Sequence, residues 1–251
     1  MNMIEIKNLT KNFGNFPALK GFSLSIPQGT LFSFLGPNGA GKTTTIKLLV
    51  GLLKPTSGEI YLNGVNALKE PDRIREWLSY MPDEPYLYEK LTGREYLEFV
   101  ANIYKVDNKR KENIINRLIP LFHLEDKLDN LIEDYSHGMR QKLIITSTLI
   151  HKPKIILVDE PLVGLDPYSA RIFKRLLREF CQEGGTVFLS THTLTLVEEL
   201  SDLIGIIKEG ELIFFGALQK LKHTVKKESS LEELFLDLTA ETGEETSSVL
   251  I

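Results

Sequence analysis

The sequence has few of the residues that build disulfide-bonded or metal-centred proteins. Cys181 is its only cysteine, which excludes an internal disulfide and is usual for cytosolic proteins. Its five histidines lie far apart along the chain, without the spacing of a metal-ligand motif. It has no signal-peptide segment at its N-terminus and no run of roughly 20 apolar residues, the length that a spanning helix requires. These absences predict a cytosolic protein without structural metal.

Basic residues are not in excess either. Lys and Arg number 30 against 34 Asp and Glu, and the formal net charge is -4. Since nucleic-acid-binding domains concentrate Lys and Arg to neutralise phosphates, nucleic acid is not expected as a partner. With 251 residues, of which 42% are hydrophobic, the chain can bury the core of one large domain or of two small co-folded ones.

Strand and helix signals alternate along the chain, which is typical of an α/β domain. Apolar runs predict strands at residues 4–9, 19–26, 30–35, 155–158, 187–190, 204–208 and 212–215. Asn63-Gly64 predicts a hairpin turn. Helical spacing predicts helices at 41–53 and 169–182, another ending at residue 200, and a helical region over 86–150. We interpret residues 1–217 as one domain with 86–150 as an inserted helical subdomain, followed by a C-terminal helical extension over 218–251.

A phosphate-binding loop follows the third strand. Residues 36–43 match the pattern G-x-x-x-x-G-K-[ST] between a predicted strand and a predicted helix, a context that a chance glycine turn would rarely have. In such loops backbone N–H groups converge on phosphate oxygens, the lysine reaches the β- and γ-phosphates, and the hydroxyl suits Mg²⁺. The predicted nucleotide-binding residues are Gly36, Pro37, Asn38, Gly39, Ala40, Gly41, Lys42, Thr43 and Thr44.

Two consecutive carboxylates end the apolar strand at 155–158. Successive residues of a strand point to different sides, so Asp159 can hold Mg²⁺ while Glu160 faces the γ-phosphate. The alternative is a strand that ends in two solvated acids, which is common. Because a phosphate loop is present in the same chain, we predict that Asp159 is a metal ligand and that Glu160 is the general base for the attacking water.

Further motifs resemble those of the ATP-binding cassette family. Residues 135–141, Tyr-Ser-His-Gly-Met-Arg-Gln, precede the carboxylate strand and resemble the signature motif of that family. A Gly-Leu-Asp-Pro turn at 164–167, a Ser-Thr-His strand end at 190–192 and an aromatic residue at Phe13 follow the order of the family. The resemblance covers residues 3–217. It implies an α/β fold of the P-loop NTPase type, with a mixed sheet, an N-terminal antiparallel β subdomain and an inserted α-helical subdomain.

The resemblance also implies roles for residues outside the phosphate loop. Phe13 would stack on adenine, and Ser136 with Gly138 would bind the γ-phosphate of ATP held by a second copy. His192 would contact the γ-phosphate and hold the base and the water in line, as a catalytic residue, and Asp166 would lie at the dimer seam. Taken alone, each of the polar positions has a structural interpretation, because a Ser-x-Gly helix start is a capping device, a histidine at a strand end is usually structural, and an aspartate before proline starts a turn.

Two positions depart from the family pattern. One of the two glycines that usually follow the serine is replaced by His137, and the glutamine beyond them by Met139. We expect the His137 side chain to point to solvent, with a γ-phosphate contact as the alternative. The Mg²⁺-ligating glutamine of the family corresponds to Asp83. Since a carboxylate can still bind Mg²⁺, Asp83 is predicted as a metal ligand together with Thr43 and Asp159.

Three functional classes use a core of this kind. A transporter motor is favoured by the single cassette, the ordinary helical region and the lack of a long coiled coil. Soluble cassette proteins that act on nucleic acid or ribosomes tend to carry two cassettes or coiled coils, and a P-loop kinase would need an arginine-rich lid. The resemblance implies an ATPase that dimerises with a second copy around ATP and Mg²⁺. It would drive a separate integral-membrane permease from the cytoplasmic face of the membrane, and residues 81–85 and 135–139 resemble exporter cassettes.

Overall fold

The structure, a computed structural model, describes residues 1–84 and 86–218. Its strands are β1 (Asn2–Phe13), β2 (Phe16–Pro27), β3 (Leu31–Leu35), β4 (Ser57–Leu62), β5 (Val65–Asn66), β6 (Leu78–Met81), β7 (Ile155–Asp159), β8 (Thr186–Thr191), β9 (Leu203–Lys208) and β10 (Glu211–Ala217). Its α-helices are α1 (Lys42–Val50), α2 (Pro71–Arg75), α3 (Gly93–Ile103), α4 (Asn108–Leu121), α5 (His137–Ile150), α6 (Pro167–Gln182) and α7 (Leu194–Leu200). Apart from Leu218, the predicted extension over 218–251 lies outside the described residues.

The first sheet is antiparallel, with strand order β2-β1-β4-β5. Strands β1 and β2 form a long hairpin, and β4 pairs with the other edge of β1. The chain turns from β4 into β5 at Asn63 and Gly64, whose φ angles of 46° and 75° suit a two-residue turn between twisted strands. The predicted antiparallel N-terminal sheet and the Asn-Gly hairpin are confirmed.

The second sheet is mixed, with strand order β10-β9-β3-β8-β7-β6. Strand β10 runs antiparallel to β9, and the other neighbours run parallel to each other. Since side chains alternate along a strand, a central strand packs into two cores. In β7, Ile155 and Leu157 pack with α1 and the first sheet, whereas Ile156 and Val158 pack with α5 and α6. This burial of both faces accounts for the uninterrupted apolar run that the sequence shows.

Helices α3, α4 and α5 form a layer over the second sheet. Thr92 and Glu95 form a capping box at the start of α3. Asp107 is the N-cap of α4, and its carboxylate accepts the Arg110 N–H. Both helices bury one apolar face against the core that includes α5. Helices occupy most of the predicted helical region, but the first of them begins at Gly93 and not at residue 86. No helix within the described ranges has the length and apolar character to cross a membrane.

Helix α2 and strand β6 follow β5 in the chain and were not predicted. Strand β6 is four residues long, Leu-Ser-Tyr-Met, and this is too short for a periodic pattern to be read. It becomes a strand because it pairs in parallel with β7, Met81 opposite Val158. This pairing brings the segment after Met81 to the end of β7.

His151, the residue after α5, makes folding dependent on pH. Its ring stacks on Tyr104 with centroids 3.7 Å apart, and its Nε2 lies 3.4 Å from the Ser79 hydroxyl. Burial lowers the pKa of His151 from 6.5 to about 4. Between these two pH values the unfolded chain binds a proton that the folded chain does not bind. The stability of the fold therefore decreases as the pH falls through this window.

We expect the free energy of unfolding to fall by up to about 2 kcal/mol between pH 7 and pH 5 on account of His151. Urea unfolding at several pH values, followed by the fluorescence of Trp77, measures this decrease. The variant His151→Phe keeps an aromatic ring against Tyr104 but has no titrating group, so its decrease over the same range should be smaller. The same pH dependence in both proteins would contradict the assignment.

Candidate functional site

Four parallel strands end at the same edge of the second sheet, and the predicted site residues follow these ends. Leu35 at the end of β3 lies opposite Thr191 of β8, and Asp159 of β7 lies opposite Ser190. In open α/β sheets the crevice beyond the carboxyl ends of the strands is the usual place for ligands. The phosphate loop, the two carboxylates, His192 and Asp83 thus lie at one edge, as the sequence predicts.

The phosphate loop connects β3 to α1 directly. Gly36 permits a close backbone approach, because an added Cβ would lie 2.4 Å from the carbonyl oxygen of Ile207. Gly41, the N-cap of α1, has a φ of 109°, which disfavours any residue with a side chain. Pro37, Asn38 and Gly39 are exposed at the tip of the loop. The loop therefore presents its backbone, with the start of α1, to the solvent-accessible side of the sheet edge.

Lys42 is held inside this loop. Its ammonium donates hydrogen bonds to the carbonyl oxygens of Gly36 at 2.7 Å and Pro37 at 3.1 Å, and its Nζ lies 3.8 Å from Glu160 Oε1. Burial lowers the pKa of Lys42, while the nearby carboxylates of Glu160 and Asp159 oppose the decrease. The side chain is thus kept as a cation near the loop, where an anionic ligand can replace the carbonyl contacts. The hydroxyl-bearing neighbours Thr43 and Thr44 are exposed and half-buried, respectively.

Asp159 is almost fully buried, with 1% exposure. Its Oδ1 accepts a hydrogen bond from the hydroxyl of Ser190 on the neighbouring strand. A buried carboxylate needs such partners or a cation, because an unpaired charge is costly to bury. This role of Ser190 was not predicted. The contact follows from the parallel register of β7 and β8, which places Ser190 opposite Asp159.

Glu160 has an unusual backbone conformation with a φ of 46°. Its N–H donates to the Ser190 carbonyl oxygen at 3.1 Å, which holds the strained residue next to β8. The carboxylate contacts His192 Nδ1 at 2.9 Å through Oε1 and accepts the Thr191 hydroxyl at 3.3 Å through Oε2. The predicted neighbours Glu160 and His192 are thus brought together, and Thr191 is a partner that the sequence analysis missed.

A cleft of about 230 Å³ opens beside these two residues and is lined also by Thr191, Val163 and Leu196. His192 is exposed for 56% of its side chain, so one face of the ring is available to a ligand. A larger cavity of about 380 Å³ lies between α4 and α6, lined by Arg110 and Phe180 among others. None of the predicted site residues lines it.

Asp83 follows β6 and lies near the end of β7. Burial raises the pKa of Asp83, the charges of Asp159 and Glu84 raise it further, and those of His137 and His192 lower it. The two predicted carboxylate metal ligands therefore lie at the same end of the neighbouring parallel strands β6 and β7.

Ser136 and Gly138 stand at the start of α5. Ser136 is the N-cap, and its hydroxyl accepts the Met139 N–H at 3.3 Å. The predicted helix start and the capping interpretation are therefore both correct. Gly138 packs closely on Gly164, since an added Cβ would lie 2.6 Å from the carbonyl oxygen of that residue. Ser136 is exposed, so its hydroxyl and the first N–H groups of α5 face outward.

The last two predicted residues to describe are Phe13 and Asp166. Phe13, at the end of β1, is 47% exposed, and the Lys11 ammonium lies 4.9 Å from its ring centroid. Asp166 is the N-cap of α6, accepts hydrogen bonds from the Ser169 N–H and hydroxyl, and pairs with Lys142 Nζ at 2.9 Å. These contacts keep the pKa of Asp166 below its usual range. Asp166 thus caps α6, and its place at the dimer seam stays a prediction.

Comparisons with known proteins agree with this arrangement. The sequence profile of the ABC transporter family matches residues 19–163, more than half of the 251-residue chain. The ABC-type transporter ATP-binding protein EcsA of Bacillus subtilis (strain 168) is 34% identical over 242 residues, which cover 96% of this chain and 98% of EcsA. A solved structure of an ATP-binding subunit of an ABC transporter superposes with a TM-score of 0.90 at 31% identity, covering 94% of this chain and 99% of that one.

A second solved structure is a dimer. It shows the ATP-binding cassette MJ0796 in a post-hydrolysis state bound to ADP and Pi, with a TM-score of 0.78 and 27% identity, and it covers 86% of this chain and 99% of that one. The family profile, the relative and the structures all match the P-loop fold and span the phosphate loop and the carboxylates. The chain therefore belongs to the ABC transporter family and is an ATP-binding subunit with ATPase activity.

Proposed function

We propose that two copies of the chain close head to tail around two ATP molecules, each bound between residues 36–43 of one copy and 136–138 of the other. The observation that carries the proposal is the division of the site. The phosphate loop, base and histidine meet at one sheet edge, whereas Ser136 and Gly138 head a different helix and contact residues 139 and 164 of their own chain. Exposed helix-start donors of this kind attract a phosphate group. A symmetric pair of chains would complete two equal sites.

In this site the residues of the chain divide the work of hydrolysis. Lys42 would leave the carbonyl oxygens of Gly36 and Pro37 for the phosphates, because a phosphate oxygen is the stronger acceptor for an ammonium group. Glu160 would take a proton from the attacking water as general base. His192 would hold the Glu160 carboxylate in position through its Nδ1, as the 2.9 Å contact already does. The strained backbone of Glu160 supports this role, since such strain is concentrated at functional sites.

The residues present fit a magnesium ion. Asp159 is buried, and its charge contributes to the raised pKa of Asp83, so a cation between the two would relieve their repulsion. Within the described ranges no group of three or more His, Cys, Asp or Glu could hold a metal alone. This agrees with Mg²⁺, which is usually bound by one or two carboxylates together with phosphate oxygens. Thr43, Asp83 and Asp159 would hold it, and a bound Mg²⁺ would neutralise phosphate charge.

We further propose that the chain docks on a separate permease at the cytoplasmic face of a membrane. Exposed aromatic side chains support this docking, namely Tyr86, which follows Asp83 closely in sequence, and the contacting pair Tyr88 and Phe99. Tyr86 is 80% exposed, and Tyr88 meets Phe99 edge to face at 5.2 Å between ring centroids. Grouped exposed apolar side chains usually mark an interaction surface. The likeness of residues 81–85 and 135–139 to exporter cassettes favours an exporter.

ATP-dependent dimerisation tests the central proposal. In a Glu160→Gln background, which keeps ATP unhydrolysed, we expect ATP to convert the chain to a dimer in size-exclusion chromatography with light scattering. Adding Ser136→Ala should weaken this dimer about 10-fold or more, because hydrogen bonds to a charged phosphate are worth about 1.5–3 kcal/mol. Thr92→Ala is the matched control, since it removes a hydroxyl cap from α3 in the same way.

The proposal is wrong if ATP leaves the Glu160→Gln protein monomeric at concentrations that saturate binding. Equal weakening by Ser136→Ala and Thr92→Ala would show that only helix capping is lost. The permease is tested separately, by purification from detergent-solubilised membranes and mass spectrometry of the co-purifying subunit. Recovery of ribosomal components in place of a membrane protein would favour a soluble cassette protein instead.

A further inference from the structure

The start of α5 is joined to the segment after Glu160 by several contacts within one chain. We call these contacts the signature clamp. Its members on α5 are His137, Gly138, Gln141 and Lys142, and its members on the other side lie within residues 161–166. The two halves are more than a dozen residues apart in sequence, so their contact arises only in the fold.

The tightest part of the signature clamp is at Gly164. This residue has a φ of 81°, and a Cβ built on it would lie 2.0 Å from Cδ2 and 2.8 Å from Nε2 of His137. The imidazole ring of His137 thus occupies the space above the Gly164 backbone. His137 is exposed, as expected for a side chain that points to solvent, and its ring also packs on Gly164.

Polar contacts complete the signature clamp on both sides of Gly164. The side-chain amide of Gln141 donates to the Pro161 carbonyl oxygen at 3.3 Å, and Gln141 has 0% exposure. Lys142 Nζ pairs with Asp166 Oδ2 at 2.9 Å, and the Lys142 side chain is only 14% exposed. Since Pro161 is the residue directly after Glu160, the first of these bonds acts next to the predicted base.

We propose that the signature clamp makes residues 136–142 and 160–166 move as one body and that His137 is its positioning residue. This inference depends on the proposed function, in which Ser136 and Gly138 bind the ATP of the partner copy. Closure on the ATP of the partner would then press the clamp into place and set Glu160 for hydrolysis in its own site.

His137 suits this role because Gly164 has no side chain of its own to restrict the backbone of its segment. A glycine backbone populates both signs of φ, so Gly164 has little intrinsic preference for its observed conformation. The His137 ring fills the space beside Gly164 and thereby excludes other backbone conformations of this residue. The contact is one of packing, and any planar ring at position 137 should preserve it, whereas a methyl group should not.

Hydrogen exchange in the nucleotide-free protein tests the signature clamp without reference to ATP. We expect His137→Ala to increase exchange of the amides of residues 162–166 by about 10-fold or more, and His137→Phe to restore protection. Alanine is a good helix former, so α5 itself should stay protected in the first variant. Unchanged exchange in His137→Ala, or no recovery in His137→Phe, would overturn the clamp.

The ATPase rate tests whether the signature clamp positions Glu160. At saturating ATP, His137→Ala should lower kcat about 5-fold or more, again with recovery in His137→Phe. An unaltered kcat with altered exchange would refute the positioning of Glu160 by the clamp, whereas failure of the Glu160→Gln protein to dimerise would refute only the proposed function.

Discussion

Glu160→Gln is expected to slow ATP hydrolysis by about 10²- to 10⁴-fold while ATP still binds, the usual contribution of a positioned general base. Glutamine keeps the size of the side chain, and its amide oxygen can keep one of the two contacts that Glu160 makes through separate oxygens with Thr191 and His192. It cannot take a proton from water. The loss should therefore appear in kcat, measured by phosphate release at saturating ATP, and not in the affinity measured by calorimetry.

The chain offers a matched control for this substitution. Glu209, in the turn between β9 and β10, has a φ of 47°, nearly the same as the 46° of Glu160. Glu209→Gln therefore tests the same change in charge on the same type of strained backbone and at the same sheet edge, at a side chain that is exposed and has no part in the proposed hydrolysis. We expect its ATPase rate to stay within about 2-fold of the unsubstituted protein. An unchanged rate in Glu160→Gln would mean that another group is the base.

Lys42→Ala is expected to weaken ATP binding by about 100-fold or more. An ammonium group that forms two charged hydrogen bonds to phosphate oxygens, each worth about 1.5–3 kcal/mol, accounts for at least two decades in the dissociation constant. The alanine variant also leaves the carbonyl oxygens of Gly36 and Pro37 without their donor, so the empty loop loses its internal support. Calorimetric titration with ATP measures the effect.

Lys47→Ala is the control for Lys42→Ala, because Lys47 lies on the same helix and is exposed. It removes one positive charge near the phosphate loop without removing a loop contact, and we expect it to leave the affinity within about 3-fold. Thermal unfolding of both variants should show that each is folded. Affinity in folded Lys42→Ala equal to that of the control would overturn the assignment of the phosphate loop.

Local signals were sufficient for the phosphate loop, the carboxylate pair and the helix starts. The loop over residues 36–43 depends on backbone conformations that its own glycines permit, so a contiguous motif describes it fully. The Asn63-Gly64 turn and the Ser136 cap are likewise set by residues within one turn of chain. Such features could be predicted because the residues that cause them are neighbours in the sequence.

Strand β6 could not be predicted, since its four residues have no pattern of their own and become a strand by pairing with β7. The role of Ser190 could not be predicted either, because the hydrogen bond to Asp159 depends on the register between β7 and β8. The contact of His137 with Gly164 could not be predicted for the same reason. It joins the start of α5 to the segment before α6, and these lie together only because both helices pack in the same core.

The amino-acid sequence by itself determined the chemistry of this protein, namely a glycine-rich phosphate loop, two carboxylates after a buried strand and a serine-capped helix start. Only the tertiary structure decided which of these groups lie together at one sheet edge and which lie apart from it. The physical reason is that turns and caps arise from short-range backbone preferences, whereas strand register and loop contacts depend on how the apolar faces pack together.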